Sequence, residues 1–274
     1  ALAAEAAPIR RIHVSDAGRY GFARLEAAEF GHDALGHVVP NRVIGRVLWD
    51  ALRASPRATL AMPAKVTQVS LDAEAARLVV ETAAGTQHVS ARLVVAADGA
   101  QSLVRAAAGI PADSTDYDQT AIVASLRLDR GNDGTAYERF TTAGPMALLP
   151  LATGGGSWRT LVWAAQPAAA ESLLALEPSR FLRQWQDAFG WRAGRAIDLG
   201  RRVAYPLSLL RSGQPTATRA VLLGNASQAL HPVAGQGFNL GLRDAAELAE
   251  NIASLPLADD PGAPAVLAHY AQRR

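Results

Sequence analysis

The chain contains no cysteine, which excludes disulfides, thiolate metal sites and cysteine nucleophiles at once. Lys65 is the single lysine among its 27 basic residues. The remaining arginines are dispersed, with no run that would follow a phosphate backbone, so nucleic-acid binding is not expected. No window approaches the ~18 consecutive apolar residues that mark a membrane span, and the alanine-rich start has no basic stretch ahead of an apolar one. The six histidines are scattered without ligand-like spacing, so no metal site is expected. No Gly-x-Ser-x-Gly elbow suggests a hydrolase. One further absence is more specific. Nowhere does a strand run into a G-x-G-x-x-G turn followed about 20 residues later by an acidic ribose-binding residue.

What is present is ordinary globular material: 274 residues, 49% hydrophobic and 19% charged, with a formal charge of +2. That length suffices for one large or two smaller domains, most simply cytoplasmic. After an alanine-rich start, "RIHVSDAGRYGFARL" reads as strand, tight turn and strand. Val43, Val47, Leu48 and Leu52 follow helical spacing over 41–52. Three strand-like runs follow, and the last, Leu93 to Ala97, is continuously apolar, as in a strand covered on both faces. Asp98-Gly99 ends it, and "SLVRAAAG" opens a helix with Gly109 as its stop. From about Tyr117 to Leu207 the texture changes to alternating strands, interrupted by one amphipathic helix built on Phe181, Leu182, Trp185 and Phe189. This pattern predicts an antiparallel sheet with one buried face.

The stretch "LLGNASQALHPVAGQGFNLGLRDAAELAE", 222–250, combines a buried strand, a glycine-rich loop and a helix over 240–251. Glycines just before a helix let backbone N–H groups approach an anion where the helix dipole favours negative charge. A lone loop of this kind is equally well a flexible connection. The fixed order Gly-Asn, His231-Pro232, Gly-Gln-Gly-Phe-Asn is far more specific, and "VVAADGAQSLVR" is a second motif at a strand end.

These two stretches resemble the class A flavin-dependent aromatic hydroxylases of the para-hydroxybenzoate hydroxylase type. The family's Asp-Gly, Ser, Arg pattern matches Asp98, Gly99, Ser102 and Arg105. Its later Gly-Asp-Ala-Ala-His, Pro, Gly-Gln-Gly-x-Asn pattern matches Gly224, Ala226, Pro232, Gly235, Gln236, Gly237 and Asn239. Within the family, "AYERFTTAGPMALLPL" is most similar to the ubiquinone-biosynthesis hydroxylases of the 2-octaprenyl-6-methoxyphenol hydroxylase group. The resemblance implies a mixed α/β fold, with a Rossmann-like FAD/NAD(P)-binding domain and an inserted antiparallel-sheet substrate domain. It implies FAD as cofactor, NAD(P)H as co-substrate, O2 as oxidant and a phenol or polyprenyl-phenol as substrate. A polyprenyl substrate implies peripheral contact at the inner membrane and other ubiquinone-biosynthesis proteins as partners. The flavin contacts it implies are Asp98, Gly99, Arg105, Gly224, Asn225, Pro232, Gly235, Gln236, Gly237, Phe238 and Asn239, with Arg42 added from the 41–52 helix. Tyr137, Phe140, Met146, Leu148 and Pro150 are the implied substrate wall, although aromatic and apolar residues on alternating strands are more often plain core. No catalytic base is assigned.

The sequence departs from the family pattern at two positions. Asn225 stands where the family has a ribityl-binding aspartate, and Gln228 stands where it has histidine. The expected division is a partial FAD-binding domain at 1–110 lacking the first glycine unit, the substrate domain at 111–206, and the FAD-binding domain resumed at 207–274. On that expectation the chain is a fragment truncated at both ends, with weak or absent FAD binding and little activity of its own. The alternative expectation is an inactive, FAD-free scaffold or assembly subunit of the same fold.

Overall fold

A computed structural model describes residues 2–152, 156–231 and 235–274. It divides into two units, one of residues 1–58 and 118–207, the other of 59–117 and 208–274. Along the chain, the first unit opens with strands β1 (Ala7–Ile9), β2 (Arg11–Asp16), β3 (Phe22–Glu26) and β4 (Gly36–Val38), then helix α1 (Asn41–Ala54). The second unit begins with β5 (Ala64–Leu71), β6 (Ala76–Thr82), β7 (Gly85–Ala91), β8 (Val94–Ala96) and the short helix α2 (Leu103–Ala107). The long strand β9 (Ala112–Leu128) carries the chain back into the first unit. There follow β10 (Thr135–Thr141), β11 (Gly144–Pro150), β12 (Trp158–Ala165), helices α3 (Pro167–Ala175) and α4 (Pro178–Phe189), β13 (Ala196–Leu199) and β14 (Val203–Ser212). The second unit closes with β15 (Thr216–Ala217), β16 (Ala220–Leu222), β17 (Gln228–Ala229), α5 (Gln236–Ala253) and α6 (Pro264–Gln272).

In the first unit β9, β12, β11, β10, β2 and β3 lie side by side in one sheet. Every neighbouring pair is antiparallel except β2 with β10, which run parallel with Arg11 opposite Thr135 and Phe140 opposite Asp16. That pairing makes residues 1–58 part of the sheet unit, whereas the sequence reading assigns them to the FAD-binding domain. A hairpin such as β2–β3 carries no local sign of which distant strand it will join. Alternation then sorts the sheet's side chains. Ile122, Leu126, Met146, Leu148, Leu161 and Trp163 point to one face, where Phe181, Trp185 and Phe189 of α4 and Leu173 of α3 close a core. Phe181 and Trp163 meet edge to face at 5.8 Å, and Trp185 stacks on Phe189 at 4.8 Å. The expected amphipathic helix is α4. Helix α3 is a second helix in the insertion, and its alanine-rich "PAAAESLLA" has too little contrast between faces to be read as periodic.

The second unit holds two small sheets. The antiparallel meander β5–β6–β7 is one; the other has the order β15–β16–β8, with β16 and β8 parallel. Ala96, Val104, Ile110, Ala220, Leu222 and Ala226 pack on one side of the parallel pair, and Val221, Leu248, Leu267 and Tyr270 on the other. Thus β16 is buried on both faces, as its apolar run requires. The reading of 93–97 as doubly covered holds for two of the three side chains of β8, Val94 and Ala96. Val95 is 42% exposed because β8 is the edge of its sheet.

Candidate cofactor site

The parallel register Ala220↔Val94, Val221↔Val95 and Leu222↔Ala96 ends β8 and β16 at the same edge. Asp98-Gly99 leaves from one strand and Gly224-Asn225 from its neighbour. The carboxyl edge of parallel strands is where open α/β sheets receive ligands. Gly99 (φ +87°) and Gly224 (φ +53°) both turn through the left-handed region that side chains disfavour.

Arg105, on α2, ties the two turns together. Its guanidinium donates to the carbonyl of Ala226 at 2.8 Å and to that of Ala100 at 2.6 Å. Asp98 acts in the same place: its Oδ2 accepts the N–H of Leu103 at 2.9 Å and of Val104 at 3.4 Å. Ser102 Oγ accepts the N–H of Arg105 at 3.0 Å. Donors at the first turn of α2 are therefore satisfied by side chains that precede it.

Helix α5 is brought against the Gly224 turn by a glycine on each side. A Cβ on Gly241 would lie 3.1 Å from the Gly224 Cα. Asp244, buried one turn further along, accepts the N–H of Gly224 at 3.2 Å and pairs with Arg274. The sequence reading passes over Asp244, which follows Arg243 in "GLRDAAEL" and gives no local sign of its burial. At the other end of α5, Gly235 has φ +60° and forms the N-cap. A Cβ added at Gly99, Gly235 or Gly237 would meet nothing within 4 Å. These positions are open backbone that a side chain would fill. An 18-residue helix beginning at Gln236 adds free N–H groups and a positive dipole end. The arrangement fits a phosphorylated or otherwise electron-rich nucleotide approaching the edge.

Of the other expected contacts, Asn225, Gln236, Phe238 and Asn239 are exposed, Phe238 by 56%. Pro232 lies outside the described residues. Gln228 is held in β17, opposite Arg211, and lines a polar cavity of about 270 Å³ with Ser212, Ser227, Asp244 and Arg274. His231 meets the ring of Tyr117 edge-on at 4.9 Å, and burial lowers its pKa.

The remaining expected residues belong to the first unit. Arg42, exposed on α1, pairs with Glu5 at 3.4 Å, beside Arg46 at 2.9 Å. Met146 and Leu148 have no exposed surface and pack with Phe181 and Trp185, and Pro150 is buried on the same face of β11. Tyr137 packs on that side too, edge-on to Phe189 at 6.0 Å. These four serve the core, because the alternation that makes them apolar also turns them toward α3 and α4. Phe140 falls on the opposite face and is 42% exposed.

Parallel strands, glycine turns at their common edge and a helix N-terminus define a nucleotide-binding protein of the doubly wound kind. The chain belongs to the family described as FAD binding domain, which matches residues 2–274. It is 40% identical over 270 residues to ubiquinone hydroxylase UbiL of Rhodospirillum rubrum, an alignment covering 98% of this chain and 61% of that protein. It is 33% identical over 220 residues to 3-demethoxyubiquinol 3-hydroxylase of Escherichia coli, covering 80% of this chain and 54% of the relative. The chain thus spans little more than half the length of these curated relatives. In fold it is similar to p-nitrophenol 4-monooxygenase PnpA from Pseudomonas putida, with a TM-score of 0.80 at 18% identity, covering 99% of this chain and 68% of that one.

Proposed function

We propose that this chain forms part of an FAD-dependent monooxygenase that hydroxylates a phenol ring, with NAD(P)H and O2 as co-substrates, in ubiquinone biosynthesis. One observation supports this most strongly. The two motifs matching the flavin hydroxylases stand on adjacent parallel strands, β8 and β16, and Arg105 bridges the turns that follow them. The likeness to UbiL and to the E. coli hydroxylase, whose names state their reactions, supports the substrate class.

FAD bound here would supply the redox chemistry, accepting reducing equivalents from NAD(P)H and using O2 to oxygenate the ring. The chain's own residues have simpler tasks. The open amides at Gly235 and Gly237 and the N-terminal end of α5 would hold negative charge. Gly99 would let a phosphate or ribityl chain approach the backbone, and Asn225 would offer an amide where relatives carry a charge. Gln236, Phe238 and Asn239 are exposed in the first turn of α5 and would be the side chains nearest a ligand at its N-terminus; Pro232 is proposed as a contact from the family pattern alone. Arg42 would add a cation from α1. Phe140, on the face of its sheet away from α3 and α4, is the substrate-wall residue best placed to meet an aromatic ring. No helix among the described residues is long and apolar enough to cross a membrane. The polyprenyl substrate class suggests peripheral contact at the inner membrane, on the cytoplasmic side.

Full-length protein, purified and reconstituted, should be yellow with stoichiometric FAD. It should oxidise NAD(P)H faster with a prenylated phenol than with an unprenylated one. A colourless protein after reconstitution would overturn the proposal. A flavoprotein that prefers the unprenylated phenol would keep the chemistry and change the substrate.

A further inference from the structure

Arg24, Arg139 and Arg192 converge on one face of the sheet unit. Across β10, β2 and β3 the register sets Tyr137, His13 and Arg24 in one row and Arg139, Ser15 and Phe22 in the next but one. Alternation turns both rows to the face covered by α4, since Tyr137 packs on Phe189 there. Arg192, from the turn that follows α4, reaches the same place. Its guanidinium lies 5.1 Å from the centre of the Phe22 ring, and that of Arg24 lies 5.3 Å from it. Arg139 is fixed nearby, donating to the carbonyl of Ala188 at 3.2 Å and to the Ser15 hydroxyl at 3.3 Å. The buried His13 meets the Phe22 ring at 4.9 Å; burial lowers its pKa, and the charges of Arg192, Arg24, Arg11 and Arg139 lower it further.

Other arginines of this unit have acids. Arg11 pairs with Glu26, Arg19 with Asp16, Arg42 and Arg46 with Glu5, and Arg127 with Asp198. Among the described residues no carboxylate stands within ion-pair distance of Arg24, Arg139 or Arg192. Cations gathered without a counter-charge repel one another, and an anion arriving there is attracted by all three. Apolar surface surrounds them. Trp191 is 64% exposed, Phe22 53%, and Tyr20, in the turn between β2 and β3, fully so. Arg139, Phe189, Gly190, Trp191 and Arg192 line an open hollow of about 440 Å³. A second hollow, of about 560 Å³, adjoins it: Ala188, whose carbonyl holds Arg139, stands in its wall with Trp163, Ala165, Ala169 and Leu173. Asp187 is the one acid among the described residues that lines either.

We propose that this face of the sheet unit docks on an anionic lipid bilayer, with phosphate headgroups at Arg24, Arg139 and Arg192 and the exposed rings of Trp191 and Tyr20 in the headgroup layer. Arginine beside exposed tryptophan and tyrosine suits that boundary, where one end of each ring meets apolar surroundings and the other stays wet. A single-stranded nucleic acid would need open ring faces to stack on, and His13, Arg24 and Arg192 already crowd the ring of Phe22. The apolar hollow beside Ala188 would admit part of an acyl chain. The inference rests on the hydroxylase reading for why a bilayer is met, and adds the surface that meets it.

The test floats full-length, FAD-loaded protein with vesicles of phosphatidylcholine alone, or of phosphatidylcholine with about one part in three of phosphatidylglycerol. The wild type should bind the anionic vesicles at least about tenfold more tightly, and salt should weaken that binding. Arg24→Gln with Arg192→Gln should cost roughly fivefold per charge, about 25-fold together. Arg53→Gln with Arg57→Gln removes the same charge elsewhere in the unit and should cost less than about twofold. Trp191→Ala, at an exposed position, should weaken binding at every salt concentration and leave its salt dependence unaltered. A wild type that binds both vesicles equally, or neither, overturns the proposal even if a variant fails to fold. Equal losses from the two double variants overturn it too. Tighter binding of a short RNA than of the anionic vesicles would overturn it in favour of a nucleic-acid surface. FAD is measured in the same samples. A yellow protein that ignores vesicles sinks this surface and leaves the hydroxylase reading standing; a colourless wild type sinks that reading instead.

Discussion

Gly237 separates two demands that glycine-rich loops usually combine. Its φ lies outside the left-handed region, and a Cβ there meets nothing within 4 Å, so neither strain nor packing requires glycine. Alanine in the first turn of α5 should leave stability unchanged or raise it by up to about 1 kcal/mol. If the open space is a ligand's approach, Gly237→Ala should weaken FAD roughly tenfold to a hundredfold in the full-length protein. Titration of apoprotein with FAD, beside a thermal melt of the same sample, checks both halves. Glu138 allows a second residue-level prediction. Its pKa is raised from 4.5 to about 7 in the folded protein, so the native state holds the proton more tightly than the unfolded one. The associated stability is fully present below about pH 4.5 and is lost as pH rises through about 7. Glu138→Gln should flatten that decline, by on the order of 1–2 kcal/mol given the side chain's partial exposure, read from urea midpoints across pH 4.5 to 8.

At the scale of elements, α2 is only five residues long and depends on what precedes it. Asp98 and Ser102 hold its first amides. Asp98→Ala should cost about 1 kcal/mol, and Asp98→Asn, which keeps an acceptor, clearly less, both measured by chemical denaturation. If the two variants cost the same, the charge rather than the cap is what matters. Elements bounded by strong signals were legible in the sequence. The hairpin of β2 and β3, helix α1 and the buried strand β16 all stand where alternation, helical spacing and an unbroken apolar run put them. Helix α5 begins at Gln236, four residues ahead of the expected start at Leu240, because the glycines around Phe238 interrupt any periodic signal. Of the candidate site, Asp98, Gly99 and Gly224 could be read because turn chemistry is local. Asp244 could not, because burial of an acid depends on what distant strands and helices bring to it.

On the scale of the whole molecule, the sequence does not show which unit residues 1–58 join, since the parallel pairing of β2 with β10 spans more than a hundred residues. Membership of the FAD binding domain family and the two motifs on β8 and β16 lead to one central claim, that both turns hold the same flavin. Hydrogen–deuterium exchange on the full-length protein, with and without FAD, measures this directly. Amides at 99–104 and at 235–239 should slow together when FAD is added, with the same dependence on its concentration. Protection confined to one segment, or to neither, would contradict it.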